Sequence, residues 1–599
     1  MPAEQNHERD VKVSSRTGRL SRSLASSARR GVAAGSTRLE SDAPTIPPLL
    51  PILLPVVIAA ILSGVFFAWW FPPVAPGGVA PIARFTDVTD QSGLNVAAET
   101  ADPAAPTSLG GGVVVFDYDG DGHPDLFFVN GAPWPWEETL SKRATRGSCT
   151  LFHNDGAGHF TDVTAIAGLN VELQGMSAAA GDFDNDGLPD LYVTCVGTNH
   201  LFHNRGNGRF EDVTEAAGVG GEDNTWSTGA VWMDIDGDGR LDLVVGHYAR
   251  WPREVDLRMA FTVANVGRSY GAPTGFVGAF PSVYRNLGDG HFAVVAGSAG
   301  LRDVDPQTGF PVAKTLAIVP VDVNGDGKLD LLFTYHTSES ALFLNQGDGT
   351  FRRWAAGLDQ RQEGVSAGLA SLGSLPMAGR NARFAALQAA LALAGHRHND
   401  AFADLRSKLA VALLDYDLDG RLDLFSGGGR AEPDTNRFEN GRDFSAAPEL
   451  RWNRGDGWVA ASAGPNGETW ARPIVARGIA AADFDGDGDI DIVIAQNAGP
   501  PRLLRNDQRS GSPWLQIDLV AKRGARAADG AQVEVYTPRG MQVQTMAPAM
   551  GYMAQSAATL TFGLGDDARV RKIVVHWPDG VRQELRAPSV NRRLVIREP

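Results

Sequence analysis

Two patterns of apolar and polar positions recur along the chain. The first is a short apolar strand, an Asn, a Gly-rich turn, then an aromatic residue and a Val-Thr strand. It reads Leu151-Phe-His-Asn-Asp-Gly-Ala-Gly-His-Phe-Thr-Asp-Val-Thr164 and again Leu201-Phe-His-Asn-Arg-Gly-Asn-Gly-Arg-Phe-Glu-Asp-Val-Thr214. Weaker copies begin at Val283, Leu342 and Leu450, and a headless copy, Arg84-Phe-Thr-Asp-Val-Thr89, opens the folded region. The Asn-x-Gly-x-Gly turn predicts a hairpin, because Gly takes the positive φ that a tight turn needs. The second pattern is an Asp-rich loop of nine positions, beginning at Asp117, Asp182, Asp234, Asp322, Asp415 and Asp483. Each loop runs into an apolar β-prone stretch, such as Leu126-Phe-Phe-Val129 or Ile492-Val-Ile494, so each is predicted to link two strands.

The loop starts are separated by 65, 52, 88, 93 and 68 positions. A four-stranded unit needs about 40–60 residues, so the two long gaps predict insertions near 251–281 and 359–408. Repeated β units that cannot bury themselves alone stack or close into a ring. The expected fold is all-β: a six- or seven-bladed β-propeller over 83–512. The headless phrase at Arg84 supplies a strand that completes the last blade. Residues 513–599 alternate apolar and polar positions, as in Gln532-Val-Glu-Val-Tyr536, and predict a small β-sandwich-like domain.

Ahead of the repeats, Leu49 to Phe71 is 23 residues without a charge. At about 1.5 Å per residue this is long enough to cross a hydrocarbon core of about 30 Å. Trp69 and Trp70 stand at its far end, and Arg9, Lys12, Arg16, Arg19, Arg22, Arg29, Arg30 and Arg38 precede it. This pattern predicts one N-terminal transmembrane helix, with residues 1–48 a disordered basic cytoplasmic tail and the bulk of the chain outside. A cleaved signal peptide is the competing reading, but the leading segment and apolar run are long for one. Residues 72–82 read as a Pro/Gly linker.

The loops carry the candidate chemistry. Oxygen side chains stand at positions 1, 3, 5 and 9: Asp117, Asp119, Asp121 and Asp125, then Asp182, Asp184, Asp186 and Asp190. The third and fourth loops place Asp234, Asp236, Asp238 and Asp242, then Asp322, Asn324, Asp326 and Asp330. The last two place Asp415, Asp417, Asp419 and Asp423, then Asp483, Asp485, Asp487 and Asp491. Position 6 is Gly, and position 7 (His123, Leu188, Arg240, Lys328, Arg421 or Asp489) offers its backbone carbonyl. Four side-chain sites, a carbonyl and water make the six to eight hard oxygen ligands that calcium prefers. About six Ca2+ ions are expected, with the loop at Asp322 weakest because Asn324 removes a charge. No His side chain or thiolate takes part as a ligand, which disfavours zinc and copper. The pattern departs from an EF-hand, whose bidentate Glu at position 12 is replaced here by Phe128, Val193, Val245, Phe333, Ser426 or Ile494. Metal-free Asx turns are the alternative. Six copies argue against them, because clustered carboxylates without a cation repel.

Charge supports this view. The net charge is −16, which excludes nucleic acid as an expected partner. Without the loop carboxylates the remainder is mildly basic, so the negative charge is local. Of the two cysteines, Cys149 and Cys195, each precedes a Leu-Phe-His-Asn strand and reads either as a buried hydrophobe or as half of a disulfide. None of the common hydrolase, metalloprotease or nucleotide-binding motifs occurs. His396 and His398 lack a third ligand, and the recurrence of His153 and His203 at one repeat position reads as strand packing. Trp134 and Trp136 could grip a sugar or peptide, or plug the space between blades.

The Asp loops and Asn-x-Gly-x-Gly-x-Phe phrases resemble FG-GAP (VCBS-type) repeats, the units of integrin α-subunit propellers. Gly551-Tyr552, Gln555-Ser556, Phe562-Gly-Leu-Gly565 and Trp577-Pro-Asp-Gly580 resemble the ASPIC/UnbV domain, and the order of modules is similar to the cartilage acidic protein family. Ala527-Ala-Asp-Gly-Ala531 departs from that domain's usual Asn-containing entry. The resemblance implies calcium binding, an extracytoplasmic location and adhesion or interaction roles. The expected function is a calcium-rigidified module binding an unknown protein or glycan. An envelope enzyme or maturation factor with a pocket on the propeller top, or a purely structural envelope role, are the alternatives.

Overall fold

The computed structural model describes residues 79–96, 110–130, 149–258, 261–263, 267–269, 276–354, 410–429 and 445–599, apart from positions 306, 312, 337, 339, 456, 465–468, 498, 523–527, 548–551 and 568. The apolar segment 49–71, Trp134 and Trp136, and the 359–408 insertion with His396 and His398 lie outside these residues. Among the described residues no helix is long and apolar enough to cross a membrane.

Six antiparallel sheets repeat one motif of four strands taken in order. Sheet 1 is Val113–Phe116, Asp125–Phe128, Thr150–Asn154 and Phe160–Asp162. Sheet 2 is Gly175–Gly181, Asp190–Cys195, His200–Asn204 and Phe210–Asp212. Sheets 3, 4 and 5 begin with Thr225–Met233, Thr315–Val321 and Ala410–Leu414. Sheet 6 supplies Ala476–Ala482, Asp491–Gln496 and Arg502–Asn506, and takes its fourth strand, Phe85–Asp87, from the other end of the chain. Register is the same throughout. The Asn ending the third strand faces the aromatic residue opening the fourth: Asn154 with Phe160, Asn204 with Phe210, Asn453 with Trp458, and Asn506 with Phe85.

First strands are buried almost throughout, those of sheets 2 and 6 are rich in Ala and Gly, and the first strand of sheet 2 lies against those of sheets 1 and 3. The sheets are also stapled. Nδ2 of that same Asn donates to the carbonyl at loop position 2 of the adjoining sheet: Asn204 to Tyr118, Asn286 to Phe183 and Asn506 to Tyr416. Asn154 makes the same bond to Phe484, which joins sheet 1 to sheet 6. The architecture is all-β and propeller-like. One expectation changes: the Val-Thr pairs are not strand. The fourth strands stop at Asp162 and Asp212, and Thr164 and Thr214 start four-residue helices ended by Gly168 and Gly218 at positive φ. Asp162 Oδ1 accepts from both the N–H and the hydroxyl of Thr164, so the Asp turns the chain before the strand continues. Cys149 and Cys195 are both buried and form no disulfide.

Residues from 514 onward form two further sheets. Trp514–Val520 pairs with Leu560–Gly563 and, in parallel, with Arg592–Arg597; Gln532–Tyr536 is flanked by Met541–Thr545 and Lys572–His576, which pairs with Arg582–Arg586. Their inner faces share one core that includes Leu515, Ile517, Val533, Val535, Phe562, Ile573, Val575 and Trp577.

A segment of this C-terminal module reaches between the first strands of the repeats. Ala554–Gln555 pairs in parallel with Val113–Phe116, and Val113 donates its N–H to Met553 O. Gly112 and Gly478 cradle that carbonyl: a Cβ on either would stand 2.9 or 2.8 Å from it. Gln555 brackets the backbone of Ala180, accepting its N–H at 2.8 Å and donating to its carbonyl at 3.1 Å, and Ser556 Oγ accepts from Ala481 N–H at 3.1 Å. Tyr552 and Met553 pack with Met176, Trp226, Tyr248 and Trp251. The segment therefore pins sheets 1, 2 and 6 to the module. Gln555→Ala leaves the buried N–H and C=O of Ala180 unpaired, which costs about 1–3 kcal/mol per group. It is expected to lower the urea unfolding midpoint at unchanged m-value, by an amount equivalent to at least about 2 kcal/mol.

Candidate metal centres

All six Asp loops join the first and second strands of their sheets, as the patterning predicts. In each, Gly at position 6 donates its N–H to position 1, as Gly122 does to Asp117 at 2.9 Å and Gly187 to Asp182 at 2.8 Å. Position 5 accepts the N–H of position 7, as in Asp121 with His123 and Asp419 with Arg421. The carboxylate at position 9 is the most buried, between 0% and 2% exposed in every loop. It also brackets backbone. Asp125 accepts from Tyr118 N–H and Asn154 N–H, and Asp190, Asp242, Asp330, Asp423 and Asp491 repeat the pair. Position 9 thus closes the loop and ties it to the third strand.

The electrostatics call for a cation. Loss of water pushes Asp125 up to about 8, Asp190 to about 9, and Asp242, Asp330 and Asp417 to about 7; neighbouring loop carboxylates push the same way. Asp415, Asp423 and Asp491 are also raised well above the usual range, mainly by burial. In the first three loops, three carboxylates bring oxygens within 4.8 Å of one another. At loop 5, Asp417 is 7% exposed and its Oδ1 is enclosed with no hydrogen-bond partner, an orphaned acceptor that an ion would satisfy. An all-oxygen donor set of this charge fits calcium. In loop 4, Asn324 donates to Asp326, and Lys328 Nζ lies 3.6 Å from the same carboxylate.

Sequence reasoning missed two residues. His153 and His203, assigned to strand packing, do stack edge-on against Tyr118 and Phe183, but each ring also faces its own Asp loop. His153 Nδ1 is 3.3 Å from Asp119 and 3.4 Å from Asp125; His203 Nε2 is 3.0 Å from Asp184 and 3.9 Å from Asp190. The shared register was the available signal: each precedes the Asn whose N–H meets position 9.

The module contacts the same face of the repeats. Gln516 Nε2 donates to Asp483 at 2.9 Å, Gly565 N–H to Leu418 O at 2.9 Å, and Arg593 to Gly122 O. A cavity of about 900 Å3 lies between loops and module, lined by Asp117, Asp182, Asp322, Asp415 and Asp483 and by Asp529. Burial pushes Asp529 up to about 7, and its Oδ1 has no hydrogen-bond partner.

Fold and site together define a propeller-like repeat protein whose acidic loops could hold a cation. The FG-GAP-like repeat family matches residues 139–193, 182–245, 322–370 and 415–494, and the ASPIC and UnbV family matches 521–599. The chain thus carries FG-GAP-like repeats and a C-terminal ASPIC and UnbV module. It is 27% identical to cartilage acidic protein 1 of Xenopus tropicalis over 305 residues, 50% of this chain and 38% of that protein. It is 32% identical to the Mus musculus protein over 123 residues, 20% of this chain and 19% of that one. The matches therefore span less than half the length of these relatives. Among solved structures, an Agrocybe aegerita lectin recognising non-reducing terminal N-acetylglucosamine aligns at 16% identity and a TM-score of 0.29, covering 67% of this chain and 82% of that one. The Vibrio cholerae biofilm matrix protein Bap1 aligns at 11% identity and a TM-score of 0.22, covering 84% and 61%. At these scores neither likeness bears on function.

Proposed function

We propose that this chain is an extracytoplasmic, calcium-rigidified six-bladed propeller that acts as a binding module for a protein or glycan, held at the membrane by its 49–71 segment with the N-terminus cytoplasmic. The observation that carries the reading is the distribution of exposed apolar side chains. Of the nine large apolar side chains exposed among the described residues, four, Leu287, Val294, Val304 and Phe310, are each 44–68% exposed and fall within the outer hairpin of sheet 3 and the segment leading to sheet 4. The axial side of the first strands, where a substrate pocket would otherwise open, is taken by Met553, Gln555 and Ser556. Calcium in the loops holds the sheets rigid, so the rim presents a fixed surface. The cavity beside Asp529 favours the alternative of an envelope enzyme or maturation factor, since an enclosed, unpartnered carboxyl suits proton transfer.

The test is retention of the purified chain on arrays of glycans and of envelope proteins, with calcium and with chelator. Calcium-dependent retention that Phe310→Ala weakens several-fold is expected. Retention indifferent to both, or loss of function traced to Asp529→Asn alone, would move the assignment to the cavity.

A further inference from the structure

Loops 1 and 2 differ from the other four in the residue before the third-strand Asn, and from loops 3 to 5 also at position 7. The residue before the third-strand Asn is His153 or His203 in these sheets. In the others it is Arg285, Leu344, Trp452 or Arg505. Arg285 Nε lies 2.8 Å from Asp236 in loop 3, and Trp452 Nε1 donates to Asp419 in loop 5. Position 7 also differs. In loops 3, 4 and 5 it is a cationic residue whose head group lies on the carboxylate at position 5: Arg240 on Asp238, Lys328 on Asp326 and Arg421 on Asp419. In loops 1 and 2 it is His123 or Leu188, and no ion pair with Asp121 or Asp186 is made from that position.

The nitrogens aimed at loops 1 and 2 are themselves informative. His153 Nδ1 and His203 Nε2 are both enclosed, and neither makes a hydrogen bond. The three nearest carboxylates converge on each ring at 3.3–4.0 Å for Asp119, Asp125 and Asp121, and at 3.0–4.0 Å for Asp184, Asp190 and Asp186. An enclosed imidazole nitrogen facing several carboxylate oxygens can lend its lone pair to a cation held among them. Asp119, Asp125 and His153 already bring one ligand atom each within 4.8 Å of the others, as do Asp184, Asp186 and His203.

Imidazole nitrogen suits first-row transition ions, whereas calcium takes oxygen almost exclusively. We propose that loops 1 and 2 are mixed imidazole–carboxylate centres that hold a first-row transition divalent ion, with His153 and His203 as direct ligands, while loops 3 to 6 are the all-oxygen calcium sites. This rests on the loops being cation sites at all.

The test uses the full chain equilibrated with millimolar Ca2+ and micromolar Mn2+, followed by elemental analysis of the dialysed protein. Retention of about two Mn2+ per chain beside bound calcium is expected, falling to about one in His153→Asn or His203→Asn and to about none in the double variant, with the calcium content unchanged. Pulsed electron paramagnetic resonance on the wild-type chain gives a readout that needs no variant: bound Mn2+ should show coupling to 14N. Calcium bound with no manganese retained, or manganese retained without nitrogen coupling, overturns the proposal and leaves the loops as calcium sites. Neither ion bound overturns the cation reading itself.

Discussion

Chelating calcium from the purified protein is expected to lower its unfolding temperature by on the order of 10 °C or more, with magnesium restoring much less than calcium. The reasoning is mass action at several sites. An ion present at about a hundred times its dissociation constant stabilises the native state by about 2.7 kcal/mol per site. Even four filled loops then contribute on the order of 10 kcal/mol, beyond the effect of nearly any single substitution. The loop carboxylates show why: Asp415, Asp417 and Asp419 stand together on one buried turn, and beyond burial Asp419 raises both Asp415 and Asp417 while Asp417 raises Asp415. The effect carries a pH signature. Asp125, Asp190 and Asp242, raised to about 8, 9 and 7 in the folded chain, hold more protons than in the unfolded chain at every pH between there and the ordinary carboxylate range. The cation-free fold therefore gains stability as pH falls through those values, while protons compete with calcium for the loaded one. The gap between calcium and chelator should be widest above pH 8 and close progressively towards pH 4, as followed by calorimetry in both conditions. A gap that widens on acidification, or no gap at any pH, would mean that the loops stand without ions.

Much of this arrangement was legible in the sequence because its signals are local. Nine consecutive residues specify each loop, with Gly122 and its counterparts at positive φ where the chain bends back on position 1. The headless phrase at Arg84 named its partner by analogy, since both other copies of Phe-x-Asp-Val-Thr, at Phe160 and Phe210, follow an Asn-terminated strand. What sequence could not give was contact across long separations. Gln555 was visible as part of a motif, yet its partner, Ala180, lies 375 positions earlier. His153 and His203 stand 28 and 13 positions after the carboxylates at position 9 that they face, and only strand register brings them back. The Val-Thr pairs misread for another reason: β-branched residues favour strands in general, but the Asp two positions before Thr164 bonds its hydroxyl and N–H and starts a turn instead.

Phe85→Ala is expected to be among the most damaging substitutions in the repeats, costing about 3–5 kcal/mol. Phe85 is 2% exposed, and its ring packs 6.2 Å from Phe425 in sheet 5 and 6.1 Å from Trp470. The cavity left there cannot collapse easily, because sheets on two sides hold its walls. Phe160 offers the matched control, since it occupies the same register in sheet 1 and packs on Phe484 of sheet 6. Both substitutions should cost similar energy in urea unfolding. They should differ in what opens. The fourth strand of sheet 1 follows its third by a five-residue turn, so it remains tethered after Phe160→Ala. Phe85–Asp87 is separated from Arg502–Asn506 by more than 400 positions and is held beyond its backbone pairing by few groups: Arg502 on Asp87 at 2.9 Å, Thr86 on Asp507, and the Thr89 hydroxyl accepting Leu503 N–H. Once the ring is gone, the loop-closure entropy of that long separation opposes re-pairing. Limited proteolysis should therefore cut Phe85→Ala near residues 79–92 well before the remaining sheets are lost, and cut Phe160→Ala no faster there than wild type. If the two variants are cleaved alike, the N-terminal strand completes sheet 6 without serving as its clasp.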